Sequence, residues 1–146
     1  MLEKLDFVIA SIHSSFHGTK DETTRRVIRA VENPYTRILG HPTGRLLLGR
    51  PGYEIDMDKV IDACAANSVA VELNANPYRL DIDWRLIRGA IRRGVKISIN
   101  PDAHSIKQID FIALGVMIAR KGWCEKTDVI NTRDASGFER FIREGK

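Results

Sequence analysis

Cysteine is scarce. Only Cys64 and Cys124 occur, and neither belongs to a C-x-x-C pair. That pattern excludes a disulfide framework or a cysteine-rich zinc module as the basis of the fold, and it predicts a reduced, cytoplasmic setting. Long hydrophobic runs are missing as well. Nothing approaches the roughly 20 apolar residues that cross a bilayer. The apolar stretch from Phe7 to Ile12, behind a start of mixed charge, is too short for a signal peptide, so no membrane partner is expected. There is no internal repeat, no low-complexity tract, no Gly/Ser linker and no arginine-rich tail, which sets aside solenoids and tethered modules. What remains is 146 residues, 43% hydrophobic and 29% charged, enough for one domain with a proper core. The net charge of +4 suits a polyanionic partner and equally suits a mildly basic surface.

Strand-like and helical patterns alternate along the chain. Asp6 to His13 and Arg37 to His41 read as strands, with a helix from Asp21 to Glu32 between them that carries Val27, Ile28 and Val31 on one face. A loop rich in Gly and Arg runs from Pro42 to Ile55. Asp56 can cap a helix that continues to Ala66 with Val60, Ile61 and Cys64 inward. Ser68 to Leu73 is the third strand. Asp81 is expected to cap a helix from Ile82 to Arg93 with Trp84, Ile87 and Ile91 as its stripe and Gly94 as its stop. Val95 to Ile99 is the fourth strand. A helical stretch, continuous or broken, follows from Ser105 to Gly122, then a short strand from Asp128 to Asn131 and a helix from Asp134 to Glu144. This alternation predicts an α/β architecture with a parallel sheet, in which chemistry gathers at the C-terminal ends of the strands.

Of the four histidines, His13 ends the first strand, His41 ends the second, and His104 follows the fourth as part of Asp102-Ala103-His104. His17 falls in a loop and is the lesser candidate. Imidazole nitrogens and a carboxylate are suitable ligands for Zn²⁺, Mn²⁺ or Fe²⁺, and strand ends of a parallel sheet share one rim. Taken singly, a histidine in a strand is more often a hydrogen-bonded core residue; the shared rim is what favours a site. Glu72 and Asn74 have the same strand parity and can face the same side, to serve the site or, for Glu72, to pair with an arginine.

Several segments carry a family resemblance: Ala10-Ser11-Ile12-His13-Ser14, Leu39-Gly40-His41-Pro42-Thr43-Gly44-Arg45, Glu72-Leu73-Asn74-Ala75, Arg79-Leu80-Asp81 and Asp102-Ala103-His104-Ser105. They resemble consecutive motifs of the PHP domain attached to bacterial family X DNA polymerases. Gly115-Val116, Ala119-Arg120-Lys121-Gly122-Trp123 and Val129-Ile130-Asn131-Thr132 match the end of that domain. GHPTGR together with DAH at this separation is the specific signal; DxH alone is weak. The resemblance implies a distorted (β/α)7 barrel with a trinuclear site of manganese, zinc or iron at its C-terminal rim. It also implies 3′–5′ exonuclease and phosphoesterase action on DNA 3′ ends. By the motif match, His13, His41, Asp102 and His104 correspond to metal ligands. Arg45 is the expected cation at the phosphate, with Lys20 and Arg79 behind it. Ser14, Glu72 and Asn74 are expected to touch the substrate or support the ligands.

The family's HxH pair, a further Asp and His, and a ligand Glu lie upstream of its equivalent of His13. The resemblance therefore implies that residues 1–146 are the C-terminal part of a PHP domain, about five parallel βα units, without the N-terminal units or the polymerase domain. An incomplete metal site, weak or absent hydrolysis, and a homo-oligomer that covers exposed barrel edges are expected to follow. The alternatives are a non-enzymatic metal- or DNA-binding remnant, or a PHP phosphatase for small esters of the histidinol-phosphatase kind. An amidohydrolase-type barrel also uses strand-end His and Asp, but the GHPTGR loop and the DAH spacing argue against it.

Overall fold

The computed structural model describes residues 2–14 and 16–144. Four strands, β1 (Val8–Ala10), β2 (Thr36–Leu39), β3 (Ala70–Asn74) and β4 (Ile97–Asn100), form one parallel sheet in the order β1-β2-β3-β4. Helices α1 (Lys20–Val31), α2 (Met57–Ala66) and α3 (Trp84–Arg92) connect them, and α4 (Ile112–Lys121) and α5 (Ala135–Glu144) follow β4. The helix starts are set by side chains. Thr19 and Glu22 make a reciprocal capping box at α1, Asp56 accepts the Lys59 N–H at α2, and Asp83 accepts the Arg85 N–H at α3.

Helices α1 to α4 all lie on one face. Val27 and Val31, then Val60, Ile61 and Cys64, then Ile87 and Ala90, then Ala119 meet Leu39, Val71, Leu73, Ile97 and Ile99 in a single buried cluster. Ile61, Leu73, Ile87 and Ile97 are each no more than 1% exposed, and burying a side chain of that size stabilises by about 1.5–3 kcal/mol. Sequential strand order with the crossover helices on one face is the wall of a partial βα barrel; a doubly wound sheet would reverse its order and cover both faces. The other face has two zones. Its lower part is apolar, where Ile38 and Ala70 meet Ile130, Phe7, Phe138 and Phe141, the last two from α5. Its upper part is polar, with Glu72, Asn74, Ser98 and Asn100 at alternate strand positions, as parity requires.

The structure corrects three expectations. Asp81 does not cap α3; Asp83 does, because the Asp81 backbone is used to pair with β3, through Asn74 N–H to Asp81 O at 2.6 Å and Ile82 N–H to Glu72 O at 3.1 Å. The strand expected at Asp128 to Asn131 is two 3₁₀ turns joined to β4 by one parallel bridge, Ile97 to Val129. There the Asn131 side chain replaces a ladder, accepting the Ile99 N–H at 2.8 Å and donating to the Ile99 carbonyl at 3.0 Å. β1 is shorter than Asp6 to His13, so His13 stands three residues beyond the last strand residue, Ala10. Among the described residues no helix is long and apolar enough to cross a membrane.

Candidate functional site

Where β2 ends, His41 adopts a left-handed backbone, φ 25°. Its N–H donates to Glu72 Oε2 at 2.6 Å. Glu72 also accepts Asn74 Nδ2 at 3.3 Å and Asn100 Nδ2 at 2.9 Å, so one buried carboxylate ties the upper ends of β2, β3 and β4 together. Burial raises its pKa, against those three donors, which lower it. The His41 ring is buried, its Nδ1 has no hydrogen-bond partner among the described residues, and its edge meets the exposed His13 ring at a centroid distance of 5.0 Å and 89°. Burial, then the positive charge of Arg79, then that of His13 depress the His41 pKa, while Asp102 pulls it up. Two imidazoles from separate βα units, Arg79 and Asp102 are thus gathered at one rim. His13 Nε2 lies 2.6 Å from Ser11 Oγ.

Two of the motifs behind the resemblance are bonded to each other. Asp81 Oδ2 accepts the N–H groups of Thr43 and Gly44, both at 3.0 Å. Gly44 is required there: its φ is +63°, and a Cβ would meet the Tyr53 ring at 2.5 Å. Arg45 reaches in the opposite direction. Its Nε donates to the Arg79 carbonyl at 2.9 Å, its Nη2 to the Leu80 carbonyl, and its Nη1 to Asp83 Oδ2 at 2.8 Å. The guanidinium expected at the phosphate is committed to the Arg79–Asp83 segment. Asp81 itself is fully buried with Oδ1 unpartnered, and burial raises its pKa.

Beyond β4, Asp102 is again left-handed, φ 51°. Its Oδ2 accepts Arg79 Nε at 3.1 Å. His104 is exposed, with Nδ1 2.8 Å from the Asp102 carbonyl and its N–H on Gln108 Oε1 at 2.6 Å. Arg79, Asp102 and His104 line a cavity of about 480 Å³ together with Asn76, Tyr78 and Leu47. Two expected residues find other partners: Lys20 pairs with Asp56 at 3.8 Å, and the exposed Ser14 offers its carbonyl to Arg26 at 3.0 Å. His17 is exposed in its loop.

The donor chemistry is tested for a divalent ion by the same contacts. Among the described residues the buried Nδ1 of His41 has no hydrogen-bond partner, which leaves that nitrogen free to accept a bond or an ion. Yet among the described residues no three His, Cys, Asp or Glu side chains converge to hold one. Asp102 is occupied by Arg79 and His13 by Ser11. As folded, these residues alone do not make a metal centre. Sequence reasoning passed over Asn100 and Ser98 and gave Asp81 the role of a helix cap rather than a place at the rim. The first two were legible as polar residues alternating in phase within β4; Asp81 was not, since its partners lie 37 and 38 residues away.

No family model matches the chain. It is 43% identical over 143 residues to the DNA polymerase/3'-5' exonuclease PolX of Bacillus subtilis, covering 98% of this chain and 25% of that protein. To the probable phosphatase of Thermoanaerobacter sp. it is 28% identical over 155 residues, covering 100% of this chain and 60% of that one. To a probable phosphatase of Caldicellulosiruptor bescii it is 34% identical over 110 residues, 70% of this chain and 43% of the relative. The chain thus spans a quarter of the length of the first relative and 60% of the second.

Proposed function

We propose, from the premise that this chain belongs to the PHP family of phosphoesterases, in the line of bacterial family X DNA polymerases, that its rim is one side of a metal-dependent site for phosphate esters. DNA 3′ ends are the substrate class this reading favours, because PolX, 43% identical over 98% of this chain, is named a 3'-5' exonuclease. The observation that carries the reading is the pair His13 and His41, from different βα units, edge to edge at 5.0 Å with a buried, unpartnered nitrogen on His41. Burying such a nitrogen without a partner costs about 1–3 kcal/mol, a cost more in keeping with ligand binding than with packing.

In this reading His13, His41, Asp102 and His104 are ligands for Mn²⁺, Zn²⁺ or Fe²⁺, completed by groups outside residues 1–146, which are a partial PHP domain. Such an ion, if bound, would supply positive charge at the phosphate and a more acidic water. The described donors are too few to be assigned a hydrolytic step of their own. Glu72 and Asn74 support His41 and the strand ends, and Arg45 positions Arg79 by holding its carbonyl.

The test combines metal content with turnover. Purified chain equilibrated with Mn²⁺ is expected to retain the ion weakly, to lose it in His41→Ala, and to release no nucleotides from a 3′-labelled oligonucleotide above a protein-free control. Retention unchanged in His41→Ala would remove the rim from the reading. Robust nucleotide release by the wild-type chain would overturn the partial-site view, and turnover confined to p-nitrophenyl phosphate would move the substrate to small esters.

A further inference from the structure

The outer side of α3 carries charge of one sign. Arg85, Arg88 and Arg92 recur at helical spacing on one stripe, and all three are exposed. Between them Gly89 has nothing within 4 Å of an added Cβ, so the stripe lies open. Asp83 pairs with Arg85, and Asp58 and Asp62 pair with Arg93. No ion pair among the described residues involves Arg88, Arg92 or Lys121 at the end of α4. That end is laid against α3: a Cβ at Gly122 would sit 2.8 Å from Ile87. Both tryptophans of the chain are here, each beneath a cation. Arg88 lies 5.3 Å from the Trp123 ring centroid and Lys121 4.6 Å from that of Trp84.

Trp123 is the anomaly. It follows Gly122, the C-cap of α4, with φ 65°, the left-handed position at which helices favour glycine. A bulky side chain there costs conformational energy. Burial does not offset that cost, since the residue is 71% exposed. A strained residue that packing does not account for points to a ligand. We propose that the α3–α4 face is a docking surface for a single-stranded polynucleotide, with a base stacked on Trp123 and phosphates along Arg88, Arg92 and Lys121. Bare charge would account for the cations alone. A single strand presents both a phosphate and an unpaired base face at every nucleotide, which matches cations interleaved with an open ring. Arg88 serves both, because a guanidinium stacks on aromatic faces and forks onto phosphate oxygens. The surface lies on the helix-covered side of the sheet, away from the polar strand-end residues. It needs no metal and no chemistry at the rim.

The experiment titrates the full chain into a labelled oligothymidylate at several salt concentrations, reading anisotropy of the label and quenching of tryptophan emission. The wild type is expected to bind with quenching. Its log K is expected to fall against log salt with a slope of about −2, roughly −0.7 for each of three phosphates. Arg88→Gln and Arg92→Gln are each expected to make that slope shallower by about 0.7. Trp123→Gly suits the left-handed backbone and is expected to fold at least as well as the wild type. It is expected to bind about 5-fold or more weakly, with the salt slope unchanged. Arg29→Gln in α1, between β1 and β2, removes an equal charge elsewhere and is expected to change neither. No binding by the wild type overturns the proposal. Trp123→Gly binding as tightly as the wild type, or inorganic polyphosphate competing as well as the oligonucleotide, reduces the surface to bare charge and overturns it. Binding lost in His41→Ala but unchanged in Trp123→Gly would place the strand at the rim, overturning this proposal while leaving the proposed function intact.

Discussion

Asp83 and Glu72 are both carboxylates near the rim, and their surroundings push them in opposite directions. Asp83 is held well below the usual carboxylate range by the Arg85 guanidinium first, with the Arg85 N–H and Arg45 adding to it. Glu72 is raised, because burial outweighs its amide donors. A depressed carboxylate contributes stability that is complete above its unfolded pKa, 3.8 for Asp83, and is lost as pH falls toward the folded value. A raised one behaves inversely: its contribution is present below 4.5 and lost as pH rises through the folded value. Asp83→Asn keeps a capping oxygen for α3 and removes only the charge. It is expected to cost about 1–2 kcal/mol at pH 7, since the Arg45 partner is partly buried but Arg85 is exposed and screened. Urea unfolding at pH 7, 5 and 3 checks it. The gap between variant and wild type should persist at pH 5, be smaller at pH 3, and close only as pH falls through the much lower folded value; a gap as large at pH 3 as at pH 7 would show that the charge is not the cause.

At the scale of elements, α3 and α4 each contain a glycine that intrinsic propensity would replace with alanine for a gain of about 1 kcal/mol. Gly89 in α3 has nothing within 4 Å of an added Cβ, so Gly89→Ala should stabilise by that amount. Gly115 in α4 is where the helix lies against the sheet. A Cβ there would sit 2.5 Å from Ile99 Cγ2 and 2.7 Å from Ala75 Cβ. Overpacking of this kind costs about 1–3 kcal/mol, which exceeds the propensity gain. Gly115→Ala should therefore lower the thermal midpoint while Gly89→Ala raises it; two shifts of the same sign would contradict this account of α4 packing. The same contrast shows what the sequence makes legible. Val60, Ile61 and Cys64 announce the inner face of α2, and Asp56 its cap, because both depend on neighbours within one helix turn. The phase of Glu72 and Asn74 is legible for a similar local reason. The destination of Arg45 is not. Its charge is visible, but its acceptors lie 34 to 38 residues on, and only the fold brings them to it. Val129 to Asn131 misleads in the opposite way: it is strand-like in composition, yet a single Asn131 amide satisfies the β4 edge and leaves the backbone to turn.

For the molecule as a whole, the open sides of the partial barrel wall decide how it behaves in solution. Among the described residues β1 has a strand neighbour on one side only, and Ile9 within it is 49% exposed. An unpaired parallel edge is a template for association. Along α4 and the turn before it, Ile109, Ile112, Val116 and Met117, between 37% and 57% exposed, follow helical spacing as an apolar stripe. Both features favour self-association of the chain, driven by apolar burial and backbone pairing. Its +4 net charge opposes that by repulsion between copies. Salt screens the repulsion, with a Debye length of about 10 Å at 0.1 M and 3 Å at 1 M, and leaves the apolar term in place. Sedimentation velocity at micromolar concentration is therefore expected to show a dimer or larger species whose fraction grows with added salt. Met117→Lys and Ile9→Lys are expected to shift that population toward monomer, and the variant with the larger effect identifies the side that is covered. A species that dissociates as salt rises would mean that ion pairs hold it together, and a monomer at every salt concentration would mean that the open sides are satisfied within the chain itself.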